Sequence, residues 1–480
     1  MFMRMVYDEK LAQAAYVIGC QRTGEAIVID PERDVDRYIN LCHEHGMQLV
    51  ATAETHIHAD FLSGARELAV THGKRVYLSD EGDENWKYAW PRVLHEGVTC
   101  DHVLLRHGDQ FAVGNIEFRV LHTPGHTPEH IVFMVTDRGS GADAPIGMVS
   151  GDFVFVGDLG RPDLLETAAG QAGAMEPAAR RLYRTVASLH GIPEFVQVWP
   201  GHGSGSACGK ALGAIPTSTI GYERRFNAAL AAAASEQQFV DYILSDQPEP
   251  PTYFARMKRD NKLGPPVLGK MPEPLCFDVD TAAALDGSTT AIVDTRPWEA
   301  FRSGHLPSSL SLPMIKSFTT DAGSFIGEDE PIHLSVAPEH LDEVIRDLVR
   351  IGLDNLTGWT PAEQLDPASS PGYSVIEEID VDEARRQLEA GAYKSLDVRR
   401  RAEVRDGHVP GALNIAHTRL ASRIGEIPTS QPLVVNCRSG VRSARSCSYL
   451  KRQGFEVVNV RGGFLAWEAA GAPIEQSITS

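Results

Sequence analysis

The sequence lacks long apolar runs and an excess of basic residues. No apolar stretch among the 480 residues approaches the roughly 18 residues that a membrane-spanning helix needs, so no membrane association is expected. The formal net charge of −19 argues against nucleic acid as a partner, because binding phosphates needs clustered Lys and Arg. Residues 1–5 lead directly into charged sequence with no apolar signal region. A cytoplasmic protein is therefore expected.

Cysteine pairing signals are also absent. The seven cysteines form no CxxC pair and their number is odd, so neither a zinc finger nor a disulfide framework is expected. Reduced thiols are the expected state. With about 150 residues per domain as a guide, a chain of this length should form several domains.

What the sequence does contain is a series of histidines and aspartates on predicted loops. Residues 55–61 (THIHADF) follow an apolar run that is expected to be a buried strand. Three further pieces come later in the chain, ending at His126, Asp152 and His202. Imidazole and carboxylate ligands on separate loops suit a catalytic metal centre with open coordination positions, unlike the closed cysteine-rich sites of structural zinc.

In this order, over residues 1 to about 240, these pieces resemble the metallo-β-lactamase superfamily. The resemblance implies an αββα sandwich. Many members hold two zinc ions and have a histidine directly after the aspartate of the first motif, where this chain has Phe61. Phenylalanine cannot coordinate a metal, so a mononuclear centre is favoured.

The candidate ligands of that centre are His56, His126 and Asp152. Two histidines and one carboxylate suit Fe(II) and leave positions for substrate and dioxygen. The remaining motif residues are expected to orient ligands or water, with direct coordination by one of the two histidines as the open alternative. These residues are His58, Asp60 and His202.

Residues 151–164 (GDFVFVGDLGRPDL) resemble the segment that carries the iron-ligating aspartate in persulfide dioxygenases. The resemblance implies one Fe(II) per chain, held by the three candidate ligands. It also implies oxidation of a glutathione or other low-molecular-weight persulfide by O2 to sulfite and free thiol. The alternative is a dinuclear zinc hydrolase of the glyoxalase II or thioesterase type.

Residues 203–210 (GSGSACGK) resemble the corresponding stretch of persulfide dioxygenases that are fused to rhodanese domains. Cys208 lies six residues past His202 and could accept or relay sulfane sulfur near the metal, or could simply be a buried residue of a glycine-rich loop. Arg161 and Lys210 are candidates for binding the carboxylates of a thiol carrier, with solvated surface charge as the alternative.

The second half of the chain contains two segments that look like diverged copies. In each copy an aspartate precedes a Gly-His-hydrophobic-Pro step by the same spacing, from Asp294 to His305 and from Asp397 to His408. Counting back from a later glycine in each copy aligns Ser335 with Cys437. The first copy is therefore predicted to have lost its nucleophile.

Cys437 follows a predicted strand and precedes a predicted helix. A thiolate at such a turn faces backbone N–H groups and the positive end of the helix dipole, which lower its pKa and can cradle a persulfide. Arg438 and Arg442 add positive charge for thiosulfate, and the loop between them is expected to contact the substrate. The loop residues are Ser439, Gly440 and Val441. The second copy as a whole resembles a rhodanese domain.

The sequence thus predicts an α/β protein with four segments. They are a metallo-β-lactamase-fold persulfide dioxygenase domain at 1–245, a Pro-rich linker at 246–275, an inactive rhodanese-like domain at 276–365 and an active rhodanese at 373–475. The expected partners are a small persulfide or thiol, O2, and sulfite or thiosulfate, and a homo-oligomer is expected. A C-terminal half that serves only for binding or sensing is a further possibility.

Overall fold

The computed structural model describes residues 1–93, 99–168, 170–365 and 372–476. The chain divides into two compact units, Met1–Lys270 with Arg350–Gly352, and Met271–Val349 with Leu353–Ser480. The sequence break predicted between the two copies falls mostly at 366–371, outside the described residues. Within the described ranges, no helix is long and apolar enough to cross a membrane.

The first unit contains two six-stranded sheets. The first sheet has the order β1-β2-β3-β4-β5-β6 and consists of β1 (Phe2–Asp8), β2 (Gln13–Cys20), β3 (Glu25–Ile29), β4 (Gln48–Ala53), β5 (Arg75–Ser79) and β6 (His102–Leu105). The second has the order β12-β11-β10-β9-β8-β7 and consists of β7 (Gln110–Val113), β8 (Ile116–His122), β9 (Ile131–Asp137), β10 (Gly147–Gly151), β11 (Gln197–Pro200) and β12 (Ser218–Thr219).

Among the residues of this unit that the structure describes, eight α-helices accompany the sheets. They are α1 (Asp36–Glu44), α2 (Ala65–His72), α3 (Leu164–Thr167), α4 (Met175–Val186), α5 (Ile220–Phe226), α6 (Ala228–Ala231), α7 (Glu236–Leu244) and α8 (Phe254–Leu263). The two hairpins predicted from alternation and turn residues are confirmed, since β2 pairs with β3 and β7 pairs with β8, both antiparallel.

The main core lies between the two sheets. Tyr16 of β2 and Phe118 of β8 are fully buried in one cluster that both sheets contribute to. The outer face of the first sheet is covered by α1 through Tyr38, and the outer face of the second by α4 and α7 through Leu182 and Phe239. Burying an apolar face on each side gives the αββα layers that the motif order implied.

Helix α8 lies within the stretch that composition marked as a linker, and its residues belong to the first unit. Its Asn261, which is 2% exposed, donates to the carbonyls of His58 at 2.9 Å and Phe61 at 2.7 Å. The same side chain accepts from the N–H of Ser63 at 2.8 Å. The helix therefore satisfies three buried backbone groups of the loop that carries the first histidine motif.

The second unit contains two five-stranded parallel sheets. The first copy comprises β13 (Leu275–Cys276), α9 (Val279–Ala283), β14 (Ala291–Asp294), α10 (Trp298–Ser303), β15 (Leu310–Ser311), α11 (Phe318–Phe325), β16 (Ile332–Val336), α12 (Leu341–Arg350) and β17 (Leu356–Pro361). The second comprises β18 (Glu377–Ile379), α13 (Val381–Glu389), β19 (Lys394–Asp397), α14 (Arg401–Arg405), β20 (Leu413–Asn414), α15 (Leu420–Arg423), β21 (Leu433–Asn436), α16 (Val441–Arg452), β22 (Val457–Val460) and α17 (Gly463–Ala469).

The strand orders, β13-β17-β16-β14-β15 and β18-β22-β21-β19-β20, are the same when the strands are taken in chain order. The predicted internal repeat is therefore visible in the topology. The register corrects one detail, because Asp294 pairs with Ser335 whereas Asp397 pairs with Asn436. Val336, rather than Ser335, thus occupies the position of Cys437. The error arose because counting assumed equal distances from the nucleophile to the later glycine in both copies.

Replacing Asn261 by alanine tests whether α8 braces the metal-motif loop. The Asn261→Ala variant leaves three buried backbone groups without a partner, so we expect the free energy of unfolding to fall by about 2 kcal/mol. Chemical denaturation of the full chain measures this change. The exposed Asn85→Ala serves as the matched control, and equal midpoints for the two variants would contradict the bracing role.

Candidate metal centre and cysteine loop

Four strand ends bring the predicted metal residues together. His56 follows β4, His126 follows β8, Asp152 comes directly after β10 and His202 follows β11. At the β10 end, Gly151 has a φ of +48°, and a Cβ there would lie 2.5 Å from Oγ1 of Thr55. A rigid sheet with a glycine at this close approach lets the loops converge.

His56, His126 and Asp152 each offer a ligand atom, and these atoms lie within 4.8 Å of one another. All three side chains are buried, with exposures of 1–2%. The imidazole Nε2 of His126 is 3.5 Å from Oδ2 of Asp152. The structure thus assembles the three residues that the sequence singled out as metal ligands.

The tautomer of His56 is fixed by a chain of hydrogen bonds. Thr55 donates its hydroxyl proton to Asp30 Oδ2 at 2.8 Å, so its oxygen must accept from Nδ1 of His56 at 3.0 Å. The same logic applies to His126, whose Nδ1 donates to the carbonyl of Arg161 at 3.0 Å. Both rings therefore present an Nε2 lone pair, which a metal requires.

The donor set fits a metal on electrostatic grounds as well. Burial, followed by the neighbouring histidines, holds the pKa of His56 well below its usual range, and burial is also the main cause of the low pKa of His126. Burial raises the pKa of Asp152 to about 6, and neither of its carboxylate oxygens has a hydrogen-bond partner within the described part of the chain. A buried carboxylate without partners beside two neutral imidazoles is an arrangement that a bound cation would stabilise.

His58 belongs to a different group. Its Nε2 lies 3.1 Å from Oδ1 of Asp30 and 3.2 Å from Oε2 of Glu54, and all three residues are buried. Burial lowers the pKa of His58, but the two carboxylates outweigh it and raise the pKa well above the usual value. The ring is therefore engaged by carboxylates, and Phe61 packs against it with ring centroids 4.4 Å apart.

Asp60, His202 and Cys208 form a second buried group beside the first, with ligand atoms within 4.8 Å of one another. The Nε2 atom of His202 is 3.3 Å from Asp60 Oδ2 and 3.5 Å from Asp152 Oδ1. Cys208 is 2% exposed, and burial, then Asp60 and Asp152, raise the pKa of its thiol well above the usual value. The structure thus places the Cys208 thiol beside Asp60 and His202, next to the candidate metal residues, as the sequence suggested it could be.

Arg161 and Lys210, predicted to bind the carrier's carboxylates, are occupied elsewhere. Arg161 is 1% exposed, and its Nε donates to Asp163 at 2.7 Å while Nη1 donates to the carbonyl of Ala207 at 2.8 Å. Lys210 donates to the carbonyl of Ser245 at 2.9 Å. Both side chains tie loops together, so the geometry favours structural roles over substrate binding.

A functional candidate that the sequence did not indicate is Lys258 of α8. It is 7% exposed, and its ammonium lies 4.1 Å from the centroid of the Trp86 ring. Burial lowers its pKa to about 8, against the opposing influence of Glu129 and Cys208. Its charge in turn contributes to the low pKa of both His56 and His126. The Pro-rich composition of the surrounding stretch predicted a linker rather than a helix, so the sequence did not indicate Lys258.

The predicted cysteine loop forms at the start of α16. Cys437 is buried, and its Sγ accepts from the N–H of Gly440 at 3.2 Å and from the hydroxyl of Ser443 at 3.4 Å. Arg438 is exposed, whereas Nη1 and Nη2 of Arg442 each donate to a carboxylate oxygen of Glu403 at 2.7 Å. The helix terminus, together with two N–H or O–H donors, can hold a negatively charged sulfur.

A pocket of about 230 Å³ adjoins this loop within the second unit. It is lined by the predicted loop residues Ser439, Gly440 and Val441, and also by Trp298 and Ser311 of the first copy. The first copy therefore contributes a wall beside the cysteine loop, although it has valine at the position of the nucleophile. The sequence did not reveal this contribution, because Trp298 and Ser311 lie outside any motif.

Metal content of single variants separates the ligands from their neighbours. We expect His126→Gln and Asp152→Asn to retain less than about a tenth of the wild-type metal, because each removes one donor of the three-residue set. The matched variant His202→Gln should keep its metal. Elemental analysis after anaerobic purification measures this, and an equal loss in all three variants would mean that the second group also binds metal.

Comparison with known proteins finds matches to both the N-terminal and the C-terminal parts of the chain. The metallo-beta-lactamase superfamily profile matches residues 9–202, and the rhodanese-like domain profile matches residues 380–470. A solved metallo-beta-lactamase from Staphylococcus aureus is 39% identical, with a TM-score of 0.66, and the match covers 75% of this chain and 98% of that chain.

Two curated relatives match different shares of the chain. A sulfurtransferase of Allochromatium vinosum is 37% identical over 102 residues, which are 21% of this chain and 95% of that protein. A beta-lactamase hydrolase-like protein of Xylella fastidiosa is 28% identical over 56% of this chain and 61% of its own length. With profile matches at the metal-binding half and at the cysteine-bearing half, the chain belongs to the metallo-beta-lactamase superfamily, in a form fused to a C-terminal rhodanese-like domain.

Proposed function

We propose that this protein is an enzyme that oxidises a low-molecular-weight persulfide, such as glutathione persulfide, with O2 at a mononuclear Fe(II) site. The sulfane sulfur is oxidised to sulfite, dioxygen is reduced, water supplies the remaining oxygen atom and the carrier leaves as free thiol. The rhodanese-like domain then exchanges sulfane sulfur between Cys437 and sulfite or thiosulfate.

The observation that carries this proposal is the restricted donor set. His56, His126 and Asp152 converge, while the next histidine of the motif is held by two buried carboxylates and Phe61 stands where many relatives have a ligand. Two histidines and one carboxylate leave open coordination positions, which suits non-haem Fe(II) rather than the closed sites of structural zinc.

When bound, Fe(II) would supply adjacent positions for the persulfide sulfur and dioxygen together with the redox chemistry that joins them. The residues of the protein supply the ligand atoms and fix their orientation. The two imidazoles and the Asp152 carboxylate would hold the ion, and the hydrogen bonds of the imidazole Nδ1 atoms with Thr55 and the Arg161 carbonyl leave both Nε2 atoms free to bind it. Burial of all three side chains keeps the donor atoms out of bulk solvent and so strengthens their interaction with a cation.

At the second site, the Cys437 thiolate would attack the outer sulfur of thiosulfate and expel sulfite, forming a cysteine persulfide. The reverse step transfers that sulfur to sulfite and regenerates the thiolate. The Gly440 N–H and the Ser443 hydroxyl are in hydrogen-bond contact with Sγ and can stabilise either charged form. The same geometry serves both directions of transfer.

A second candidate function is a dinuclear zinc hydrolase. The observation that favours it is the group of Asp60, His202 and Cys208, which offers a second donor set beside the first. Asp152 lies between the two sets, since its oxygens face His126 on one side and His202 on the other. In this case the metals would activate water for attack on a thioester.

Oxygen consumption separates the two functions. We expect the iron-loaded protein to take up O2 when given glutathione persulfide and to release sulfite, thiosulfate or both. An oxygen electrode with sulfite and thiosulfate assays measures this. Protein with two zinc ions that hydrolyses thioesters and takes up no O2 would overturn the dioxygenase proposal.

Removing the Cys437 thiol tests whether sulfur transfer and persulfide oxidation take place at separate sites. The Cys437→Ser variant should lose thiosulfate sulfurtransferase activity by at least about a thousandfold, because serine is a far weaker nucleophile toward sulfur. Its iron content and oxygen uptake should be unchanged. The exposed Cys276→Ser is the matched control, and residual transfer in Cys437→Ser equal to that control would favour a purely binding role for the C-terminal half.

A further inference from the structure

The loop that carries His126 is closed at its base by Thr123 and His130. Thr123 directly follows β8, and His130 directly precedes β9. The N–H of Thr123 donates to the carbonyl of His130 at 2.8 Å, and the hydroxyl oxygen of Thr123 lies 2.8 Å from Nδ1 of the same histidine. Both side chains are buried. The imidazole of His130 is therefore fixed at the end of the sheet, beside the candidate metal ligands.

The other ring nitrogen of His130 holds the backbone of a candidate ligand. The N–H of Asp152 donates to Nε2 of His130 at 3.0 Å. Because a backbone N–H can only donate, Nε2 carries the lone pair and the ring proton lies on Nδ1, which donates to Thr123. The ring is thus a neutral imidazole of one defined tautomer, which the hydroxyl of Thr123 stabilises.

The same ring adjoins both candidate histidine ligands. The rings of His56 and His130 are stacked, with centroids 5.0 Å apart and an angle of 29° between their planes. The ring of His126 lies edge-on to His130 at a centroid distance of 6.4 Å. The packing leaves no room for a side chain at Gly151, where a Cβ would lie 2.8 Å from Nε2 of His130. One imidazole therefore adjoins all three segments that carry the candidate ligands.

We propose that His130 is a positioning residue of the metal centre, which fixes the main chain of Asp152 through its Nε2 lone pair and the ring of His56 by stacking. The inference rests on the proposed function in one respect, since it needs a metal at the group of His56, His126 and Asp152. The lone pair of His130 is already used by the N–H of Asp152, so this histidine acts through the ligands. Replacing partners of this kind commonly lowers metal affinity or activity by about 10- to 100-fold.

Binding of Co(II) to metal-free, full-length protein tests this assignment without turnover. His130→Leu leaves the N–H of Asp152 without an acceptor and the ring of His56 without its stacking partner. We expect this variant to bind Co(II) about 10- to 100-fold more weakly and to show a changed visible absorption spectrum, because the ligand geometry changes. Competition with a chelator measures the affinity. His130→Gln, which can place an amide oxygen near the position of Nε2, should recover most of the lost affinity.

The matched control is His333→Leu in the second unit. His333 is also buried, its Nε2 lies 2.9 Å from Oγ1 of Thr360, and its ring stacks on Phe277 with centroids 5.3 Å apart. This variant removes a comparable buried imidazole, and it should bind Co(II) as the wild type does.

A second variant tests the tautomer and keeps the experiment valid if His130→Leu fails to fold. Thr123→Val removes the acceptor of the Nδ1 proton, which favours moving that proton to Nε2, where it would face the N–H of Asp152. We expect Thr123→Val to weaken Co(II) binding by about threefold to tenfold.

Wild-type Co(II) affinity and spectrum in folded His130→Leu, or in Thr123→Val, would overturn the proposal. Equal losses in His130→Leu and His130→Gln would contradict the role of the Nε2 lone pair. An equal loss in His333→Leu would also overturn the proposal, since any buried histidine would then have the same effect. Failure of the dioxygenase proposal is distinguishable, because the differences in Co(II) binding would persist while the iron-loaded protein takes up no O2 with glutathione persulfide.

Discussion

The buried carboxylate of Asp30 organises the loop on which the metal centre depends. One oxygen accepts from the Thr55 N–H at 2.7 Å and lies 3.1 Å from Nε2 of His58, and the other accepts from the Thr55 hydroxyl at 2.8 Å. Asp30 itself has a φ of +53°, a conformation that costs a non-glycine residue about 1–2 kcal/mol. This carboxylate orients the His56 ring through Thr55 and holds the His58 ring by a direct contact.

That arrangement separates the two histidines of the motif. His56 joins the candidate metal group with His126 and Asp152, whereas the ring of His58 lies against the carboxylates of Asp30 and Glu54. Helix α8 secures the other end of the same loop through Asn261. The loop is therefore fixed at both ends by side chains that never touch the metal, which is how proteins commonly tune a metal site.

Two sulfur-handling sites on one chain also make chemical sense together. Sulfite, the product proposed for the metal site, is the acceptor for a cysteine persulfide at Cys437. The first copy of the second unit lacks the thiol but lines the adjoining pocket through Trp298 and Ser311. That copy has lost the nucleophile but still forms part of the wall of the pocket beside the Cys437 loop.

The positions of the candidate site residues could be predicted from the sequence because they lie beside local secondary-structure patterns. Ligands that follow strands, such as His56 and Asp152, sit beside local strand and turn patterns, and Cys437 sits between a strand and a helix pattern. The partners that act over long sequence separations could not be predicted in this way. Lys258 lies on α8, in a stretch whose Pro-rich composition predicted a linker. That Val336 occupies the position of the cysteine became clear only from the pairing register of the strands.

Anomalous diffraction from crystals of anaerobically purified protein, collected at the iron and zinc absorption edges, tests the mononuclear centre most directly. The account predicts one iron peak per chain, enclosed by His56, His126 and Asp152, with no peak at Asp60, His202 and Cys208. Zinc peaks at both groups would contradict it and would identify the site as that of a dinuclear hydrolase.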